Sequence, residues 1–325
     1  MSKPNIFQIA TKELSQDGFF TWLLQWADSK NVQYNQELNK IAQNFIRILL
    51  KKSDDFQITK VNVGRQLENI DIWAEINDDI FIIIEDKTNT QVHSNQLIRY
   101  KETAQRRCSE NNRQLICIYL KTGSESNSLL REVSESGYTI IDRTILLDFF
   151  NKYQPQSDIY TEFVENLNNI EKSENSYQKL PIGEWNYDSW KGFYQLLDEK
   201  IKVGWWGYVS NPNGGFLCLW FYMKEWNDYP VYIQIEQGDL CFKLGDVCEN
   251  QSVIRNELHE IIARQAKKEC KKEIRKPERF GKGKFMTVAI VHRKEWLGND
   301  NTYFDETKVI ERLIEYKRFL NRCLE

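Results

Sequence analysis

The sequence predicts an α/β N-terminal domain with a mixed central sheet flanked by helices, and an α+β C-terminal domain with an antiparallel meander. Residues 70–76 alternate between apolar and polar side chains, the two-residue period of a strand with one buried face. Residues 81–84 form a continuous apolar block, which is typical of a strand covered on both faces. After residue 204, short strand patterns alternate with turn residues and tryptophan recurs, which favours a meander.

The N-terminal elements follow the order that a mixed sheet with helices on its faces requires. Apolar side chains at helical spacing predict helices, and alternating or continuous apolar runs predict strands. The turn residues Asn77, Asp78 and Asp79 join two of the strands as a hairpin. The predicted helices are 12–28, 35–51, 94–110, 128–136 and 143–151, with further helical residues up to about residue 172, and the predicted strands are 57–67, 70–76, 81–84, 115–120 and 139–141.

The polar stretch SENSYQKLPIGEW marks the predicted domain boundary, so that residues 1–172 form the first domain and residues 173–325 the second. The second domain is rich in tryptophan and is expected to be α+β, with a substrate-binding or regulatory role. Its predicted helices are 187–200, 253–272 and 307–323, and its predicted strands are 205–210, 216–223, 231–236, 240–244 and 285–292.

Composition excludes several classes of protein. The chain has 325 residues, 41% of them hydrophobic and 28% charged, which is ordinary globular composition. No apolar run approaches the roughly 18 residues of a membrane span, so we expect a cytoplasmic protein without a membrane partner. Seven scattered cysteines and three histidines argue against a zinc site and a disulfide framework. A net charge of −3 leaves nucleic-acid binding to local patches, and the oligomeric state stays open.

Two carboxylates and a lysine stand at the ends of the two hairpin strands. Side chains two apart on a strand share a face, so Glu85 and Lys87 point one way and Asp86 the other, and Asp71 on the preceding strand can converge with the first two. Carboxylate oxygens on rigid strands suit Mg²⁺ or Mn²⁺. Such an ion could orient a phosphodiester and neutralise the charge of its transition state. The alternative is a solvated ion pair at the end of a buried strand.

The spacing of Asp71, Glu85 and Lys87 resembles the signature of the PD-(D/E)XK nuclease superfamily. On the next predicted helix, Gln96 and Tyr100 match the Gln-x-x-x-Tyr element of one branch of that superfamily, and four-residue spacing puts them on one helical face.

Upstream, the stretch from Glu13 to Leu24 is similar to the opening helix of a bacterial subgroup of these nucleases. Glu13 matches the glutamate of that helix, and Asp17, one turn later, is the reserve candidate. The resemblance covers residues 5–150.

The resemblance implies a restriction-endonuclease-like αβββαβ core and a nuclease that uses Mg²⁺ or Mn²⁺ on nucleic acid, with DNA as the expected substrate and defence against foreign DNA as a setting. It implies that Asp71 and Glu85 bind the metal, that Lys87 positions the water and stabilises charge, and that Glu13, Gln96 and Tyr100 assist. Two alternatives stay open: a catalytically silent nucleic-acid-binding protein, and a nuclease that the C-terminal domain gates in response to a ligand or partner.

Two stretches of the C-terminal domain invite a functional interpretation. Residues 264–284 contain ten basic and three acidic side chains, and they either contact phosphates or form a solvated helix face with a mobile loop. Residues 205–208 with Asn213, Gly214 and Gly215 either offer a stacking surface to a base or are core and hairpin turn, the simpler explanation. The candidate phosphate contacts are Lys267, Lys268, Lys271, Lys272, Arg275, Lys282 and Lys284.

Overall fold

A computed structural model describes residues 3–90, 95–211, 214–236 and 238–325 of the chain. The chain forms two compact units. The first comprises the residues up to Ser124 together with Leu129–Lys172, and the second comprises Glu125–Ser128 together with Ser173–Glu325. Within the described ranges, no helix combines the length and apolar character needed to cross a membrane.

The first unit is built on a five-stranded mixed sheet in the order β1-β2-β3-β4-β5, antiparallel from β1 to β3 and parallel from β3 to β5. The strands are β1 Val61–Leu67, β2 Ile70–Ile76, β3 Ile80–Lys87, β4 Gln114–Lys121 and β5 Thr139–Asp142. The helices up to residue 174 are α1 Ile6–Ile9, α2 Glu13–Gln25, α3 Gln36–Leu50, α4 Gln96–Asn111, α5 Asn127–Glu135, α6 Arg143–Phe150 and α7 Asp158–Glu174.

Strand β3 is the centre of this unit, and all eight of its residues are buried. Its alternate side chains enter two different cores, because successive side chains of a strand point to opposite faces. Ile82 and Ile84 pack in the core shared with α2, α3, α6 and α7, whereas Phe81 and Ile83 pack in the core shared with Leu97 of α4. The continuous apolar block of the sequence therefore reflects burial of β3 on both faces of the sheet, as predicted.

The second unit contains a separate antiparallel sheet, in which five strands pair in chain order from β6 to β10. These strands and the packed helices share one hydrophobic core. The strands are β6 Trp205–Asn211, β7 Gly214–Trp226, β8 Tyr229–Glu236, β9 Asp239–Leu244 and β10 Met286–Val291, and the helices are α8 Tyr187–Ile201, α9 Gln251–Lys268, α10 Arg293–Trp296 and α11 Glu306–Leu324.

The two sheets agree with the predicted fold class. The differences are two four-residue helices that were not predicted, α1 and α10, and the ends of several elements. The first strand begins at Val61 and not at residue 57. Helix α9 ends at Lys268, four residues before the predicted end, because Cys270 has the positive φ of a chain that leaves the helix. Strand β7 is longer than predicted at both ends. Pro212 and Asn213 of the predicted hairpin turn lie outside the described residues, as does Ser94 of a predicted helix.

Gly192 in α8 packs directly against the end of α7, and this close approach yields a test of the second unit. A methyl group at Gly192 would lie 1.9 Å from the carbonyl oxygen of Glu174, so Gly192→Ala must displace backbone. We expect Gly192→Ala to lower the free energy of unfolding by about 1–3 kcal/mol or more. Thermal unfolding measures this change. Gly281→Ala is the matched control, because no atom lies within 4 Å of the added methyl group. Equal melting temperatures for the two variants would contradict this packing.

Candidate active site

The candidate site lies where β2, β3 and α2 meet, and the hairpin and its register explain how it forms. Ile72 pairs with Ile84, so Asp71 near the start of β2 lies beside the end of β3. The backbone N–H of Asp86 donates to Asp71 Oδ2 at 3.1 Å. The structure therefore brings Asp71 to Glu85 and Lys87, as the alternation of side chains predicts.

Lys87 is the centre of the cluster. Its Nζ lies 2.5 Å from Glu85 Oε1, 3.6 Å from Asp71 Oδ2 and 4.0 Å from Glu13 Oε2. It also donates to the backbone carbonyl of Asp86 at 3.1 Å. The side chain of Lys87 is 10% exposed and that of Glu85 1%, so these charges interact in a largely water-free environment, where electrostatic attraction is stronger than in solvent.

Glu13 reaches the cluster from the first turn of α2. Its Oε1 accepts the backbone N–H of Thr88 at 3.1 Å and the hydroxyl of Thr90 at 2.5 Å, while its Oε2 faces Lys87. The reserve candidate Asp17 does not share this position. It is buried next to Asp86, and Glu13 is the residue of α2 that contacts Lys87.

Gln96 and Tyr100 approach from α4, on the same side of the sheet. Gln96 Nε2 donates to Glu85 Oε1 at 2.7 Å and lies 3.2 Å from the hydroxyl of Tyr100. The four-residue spacing puts both side chains on one face of the helix. The structure thus brings together six of the seven residues that the sequence singled out in this unit, all except the reserve candidate Asp17: Glu13, Asp71, Glu85, Lys87, Gln96 and Tyr100.

The protonation of the cluster follows from burial and from the neighbouring charges. Burial is the main reason that the pKa of Glu85 is raised to about 7, and the carboxylate of Asp71 adds to the effect. Burial by itself would lower the pKa of Lys87, but the carboxylates of Glu85, Asp71 and Glu13 outweigh it and raise that pKa. Lys87 is therefore a cation near neutral pH, held between acidic groups.

The same carboxylates fit a small divalent cation. Glu85 Oε2 is buried and has no hydrogen-bond partner among the described groups, and the carboxylate of Asp71 is the acidic neighbour that, besides burial, raises the pKa of Glu85. A cation between the two carboxylates would satisfy this oxygen and remove their repulsion. No group of three or more His, Cys, Asp and Glu side chains suited to a metal occurs in the part of the chain that the structure describes. A divalent cation at Asp71 and Glu85 would have two carboxylate ligands, and Mg²⁺ in such a site keeps several water ligands.

A second polar cluster, which the sequence did not reveal, lies on the other face of β3. Asp86 and Asp17 are both buried there. The side-chain N–H of Gln16 donates to Asp86 Oδ1, and its carbonyl accepts the hydroxyl of Thr122 at 2.7 Å. The alternation that points Asp86 away from Glu85 was the available signal, but nothing in the sequence indicates Thr122, which is distant along the chain.

Burial raises the pKa of Asp86 well above its usual value and that of Asp17 to about 6. Asp86 Oδ2 and Asp17 Oδ1 find no other partner among the described groups. One proton on Asp86 that is donated to Asp17 satisfies the pair, because two unpaired carboxylates cannot both stay charged in a buried site. This acidic pair joins α2 to β3 beneath the candidate site.

The seven candidate phosphate contacts of 264–284 belong to the second unit, and they differ in whether an acidic side chain faces them. Three candidates have acidic partners: Lys271 lies 3.4 Å from Glu315, Arg275 3.5 Å from Glu295, and Lys284 3.2 Å from Asp246. The other four are exposed, and no ion pair occurs for them within the described ranges; they are Lys267, Lys268, Lys272 and Lys282.

The tryptophan segment is mainly structural. Trp206 is buried in the core of the second unit and donates its indole N–H to Asp198 at 3.1 Å. Trp205 and Tyr208 are half-buried and exposed, respectively. Gly214 and Gly215 pair with Asn211 and Ser210 at the start of β7, as in a hairpin, and Asn213 lies outside the described residues.

The mixed sheet and the acidic cluster around a lysine at its edge point to a nuclease. A family model described as the PD-(D/E)XK nuclease superfamily matches residues 4–187, and the chain belongs to this superfamily. Its members are nucleases, so the family prediction is confirmed. Comparisons with curated proteins and with solved structures found no match. The roles of the individual residues stay predictions.

Gly123, which follows β4, allows the chain after Lys87 to lie close to the neighbouring strand. A methyl group at Gly123 would lie 2.2 Å from the carbonyl oxygen of Thr88. The backbone N–H of the same residue donates to Glu13 Oε1. We expect Gly123→Ala to displace this segment and to reduce nuclease activity at least about tenfold, because a shift of about 1 Å in a site can cost more than that.

Gly18→Ala in α2 is the control for this variant. Its methyl group would lie 3.6 Å from a side-chain nitrogen of Arg65, an ordinary contact, and alanine favours the helix by about 0.5–1 kcal/mol. Activity and thermal unfolding are measured for both variants. Full activity of Gly123→Ala would show that the position of Thr88 does not matter to the site.

Proposed function

We propose that this protein is a metal-dependent nuclease that hydrolyses phosphodiester bonds in DNA. One observation carries the proposal: the ammonium of Lys87 lies within 4.0 Å of three carboxylates, those of Glu85, Asp71 and Glu13, at the end of a buried strand. Acidic groups that bind a metal and a lysine that binds phosphate oxygen are the two kinds of side chain that this hydrolysis needs. Membership of the superfamily supports the same reaction.

Asp71 and Glu85 are the residues that would hold Mg²⁺ or Mn²⁺. The unpartnered, buried oxygen of Glu85 and the hard carboxylate ligands support this assignment. A bound divalent ion would lower the pKa of a water molecule and neutralise charge on the phosphate. Glu13, whose Oε2 lies 4.0 Å from Lys87 Nζ, would assist at the metal through a water molecule.

The other side chains of the site supply positive charge or keep a carboxylate in one orientation. Lys87 stays protonated because its pKa is raised, and the N–H that faces neither Glu85 nor the carbonyl of Asp86 can donate to the attacking water or to a phosphate oxygen. Gln96 donates to Glu85 Oε1 and thereby holds the carboxylate in one orientation. Tyr100 contacts Gln96 from the next turn of α4 and would keep its amide directed at Glu85 or at the substrate backbone.

The decisive experiment compares wild type, Lys87→Met and Asp71→Ala on supercoiled plasmid, linear duplex, single-stranded DNA and RNA, each with Mg²⁺, Mn²⁺ or EDTA. We expect wild type to cut DNA only with a metal. Loss of the ammonium removes a donor to developing charge and should reduce the rate at least about 100-fold. Loss of Asp71 removes a metal ligand and should abolish cleavage.

Lys60→Met is the matched control for Lys87→Met. Lys60 also pairs with an acid in the first unit, Asp78 at 2.8 Å, but both side chains are largely exposed, and such surface pairs contribute about 0–1 kcal/mol. Its activity should equal that of wild type. Cleavage that survives in folded Asp71→Ala, or in EDTA, would refute the metal site, and cleavage of RNA alone would refute DNA as the substrate. Restriction of incoming foreign DNA is the proposed setting.

We also propose that the second unit contacts the phosphate backbone through the exposed basic residues. Lys267 and Lys268 lie in the last turn of α9, and Lys272 and Lys282 follow it. Arg255 anchors the segment before Lys282, because it donates to the carbonyl of Phe280 at 2.7 Å and lies 3.9 Å from the centre of its ring. The cations that face acids are expected to contribute less, since each acid repels phosphate.

Salt dependence tests this surface separately from cleavage. Binding of duplex DNA is measured in EDTA with Lys87→Met protein, so that the DNA stays intact. Neutralising Lys267, Lys268, Lys272 and Lys282 to Gln should reduce the slope of log K against log salt by about 0.9 per lost phosphate contact. The paired cations Arg275 and Lys284, changed to Gln together, are the control and should change the slope less. An unchanged slope in the fourfold variant would remove this surface from the substrate path.

A further inference from the structure

A second lysine, Lys121, lies beside Lys87 at the same edge of the sheet. Strands β3 and β4 run parallel with Lys87 opposite Lys121, the last residue of β4. Tyr119 packs in the same core as Phe81 and Ile83, so alternation puts Lys121 on the face that carries Glu85 and Lys87. The residue is 2% exposed, and its Nζ donates to the carbonyl oxygen of Thr90 at 2.9 Å.

Burying this ammonium costs free energy that a solvent-exposed lysine at the end of a strand would not cost. Lysine is among the residues least often found fully buried. A short or apolar side chain would fill the position more cheaply if packing were its only task. The hydrogen bond to Thr90 joins this ammonium to the backbone of the chain that follows β3.

The segment that Lys121 holds is the one that binds Glu13. The N–H of Thr88 and the hydroxyl of Thr90 both donate to Glu13 Oε1, at 3.1 and 2.5 Å. The other oxygen of Glu13 is thereby left facing Lys87 at 4.0 Å. Since Glu13 is 31% exposed and has three rotatable bonds, it needs such partners to stay in one orientation.

We propose that Lys121 is a positioning residue, which holds Thr88–Thr90 in place and through this segment keeps Glu13 at Lys87. The inference rests on the proposed function, because Glu13 matters only if the cluster is the active site. Lys121 acts on the reaction through Glu13 and does not touch the substrate. Its removal should therefore have no effect where Glu13 is already absent.

A double-mutant cycle tests this dependence. Lys121→Met and Thr90→Val are each made in wild type and in Glu13→Ala, and kcat and KM are measured with Mg²⁺. In wild type, we expect each change to reduce kcat at least about tenfold with KM changed less than about twofold, since it alters the site and not substrate binding. In Glu13→Ala, each change should have less than about a twofold effect.

One further variant and one control separate an effect on the site from a loss of folding. Thr90→Val deletes an exposed hydroxyl without changing the shape of the side chain, so it reports on the segment even where Lys121→Met does not fold. Lys101→Met is the matched control, because Lys101 also donates to a backbone carbonyl of the first unit, that of Ser136 at 3.0 Å, away from Thr88–Thr90. Its kcat should equal that of wild type.

Hydrogen exchange provides a readout that needs neither metal nor activity. The N–H of Thr88 is held by Glu13, so its exchange should accelerate at least about tenfold in Glu13→Ala, Lys121→Met and Thr90→Val, and should be unchanged in Lys101→Met. Unchanged Thr88 exchange in Thr90→Val and folded Lys121→Met would overturn the inference. An equal loss of kcat with and without Glu13 would also overturn the inference about Lys121. In that case the proposed function would still hold if wild type cuts DNA and Lys87→Met does not. Accelerated exchange in a protein that cuts no substrate would support the positioning contacts and refute the proposed function.

Discussion

The buried ammonium of Lys87 is the interaction on which the rest of the candidate site depends. Three carboxylates from three elements face it: Glu85 on its own strand, Asp71 on the neighbouring strand and Glu13 on α2. Without a cation at this point the acids would repel one another in an environment that screens them poorly. The lysine therefore makes the acidic cluster possible, and the acids in turn keep the lysine charged.

Helix α2 holds the end of β3 from both faces of the sheet. Glu13, at its start, reaches the side of Lys87 and binds Thr88, whereas Gln16, three residues later, binds Asp86 on the opposite side. Asp17 lies next to Asp86 beneath the strand, and burial raises the pKa of both carboxyl groups. A strand end is the part of a sheet with the fewest neighbours, and these contacts on both sides make it a rigid platform for charged side chains.

The basic segment shows why a count of charges does not define a binding surface. Ten basic residues occur between positions 264 and 284, but Lys271, Arg275 and Lys284 each face an acid in the second unit. Lys271 also lies against the rings of Tyr316 and Phe319, where its aliphatic chain covers apolar surface. Lys267, Lys268, Lys272 and Lys282 are exposed and face no acid within the described ranges, so their charge is available to a phosphate backbone.

The sequence alone determined the periodic features: the alternation of β2, the continuous apolar β3, the hairpin between them and the i, i+4 relation of Gln96 and Tyr100. These follow from local geometry, which places neighbouring side chains on the same or opposite faces. The opposition of Asp86 to Glu85 and Lys87 could be predicted for the same reason. Only the tertiary structure decided that Glu13 and not Asp17 meets Lys87, that Thr122 supports Gln16, and that Lys121 holds Thr90. These residues are 31 to 106 positions apart and meet because α2 packs on the sheet and β4 lies parallel to β3. Spacing along the chain carries no information about such contacts, since packing of whole elements creates them.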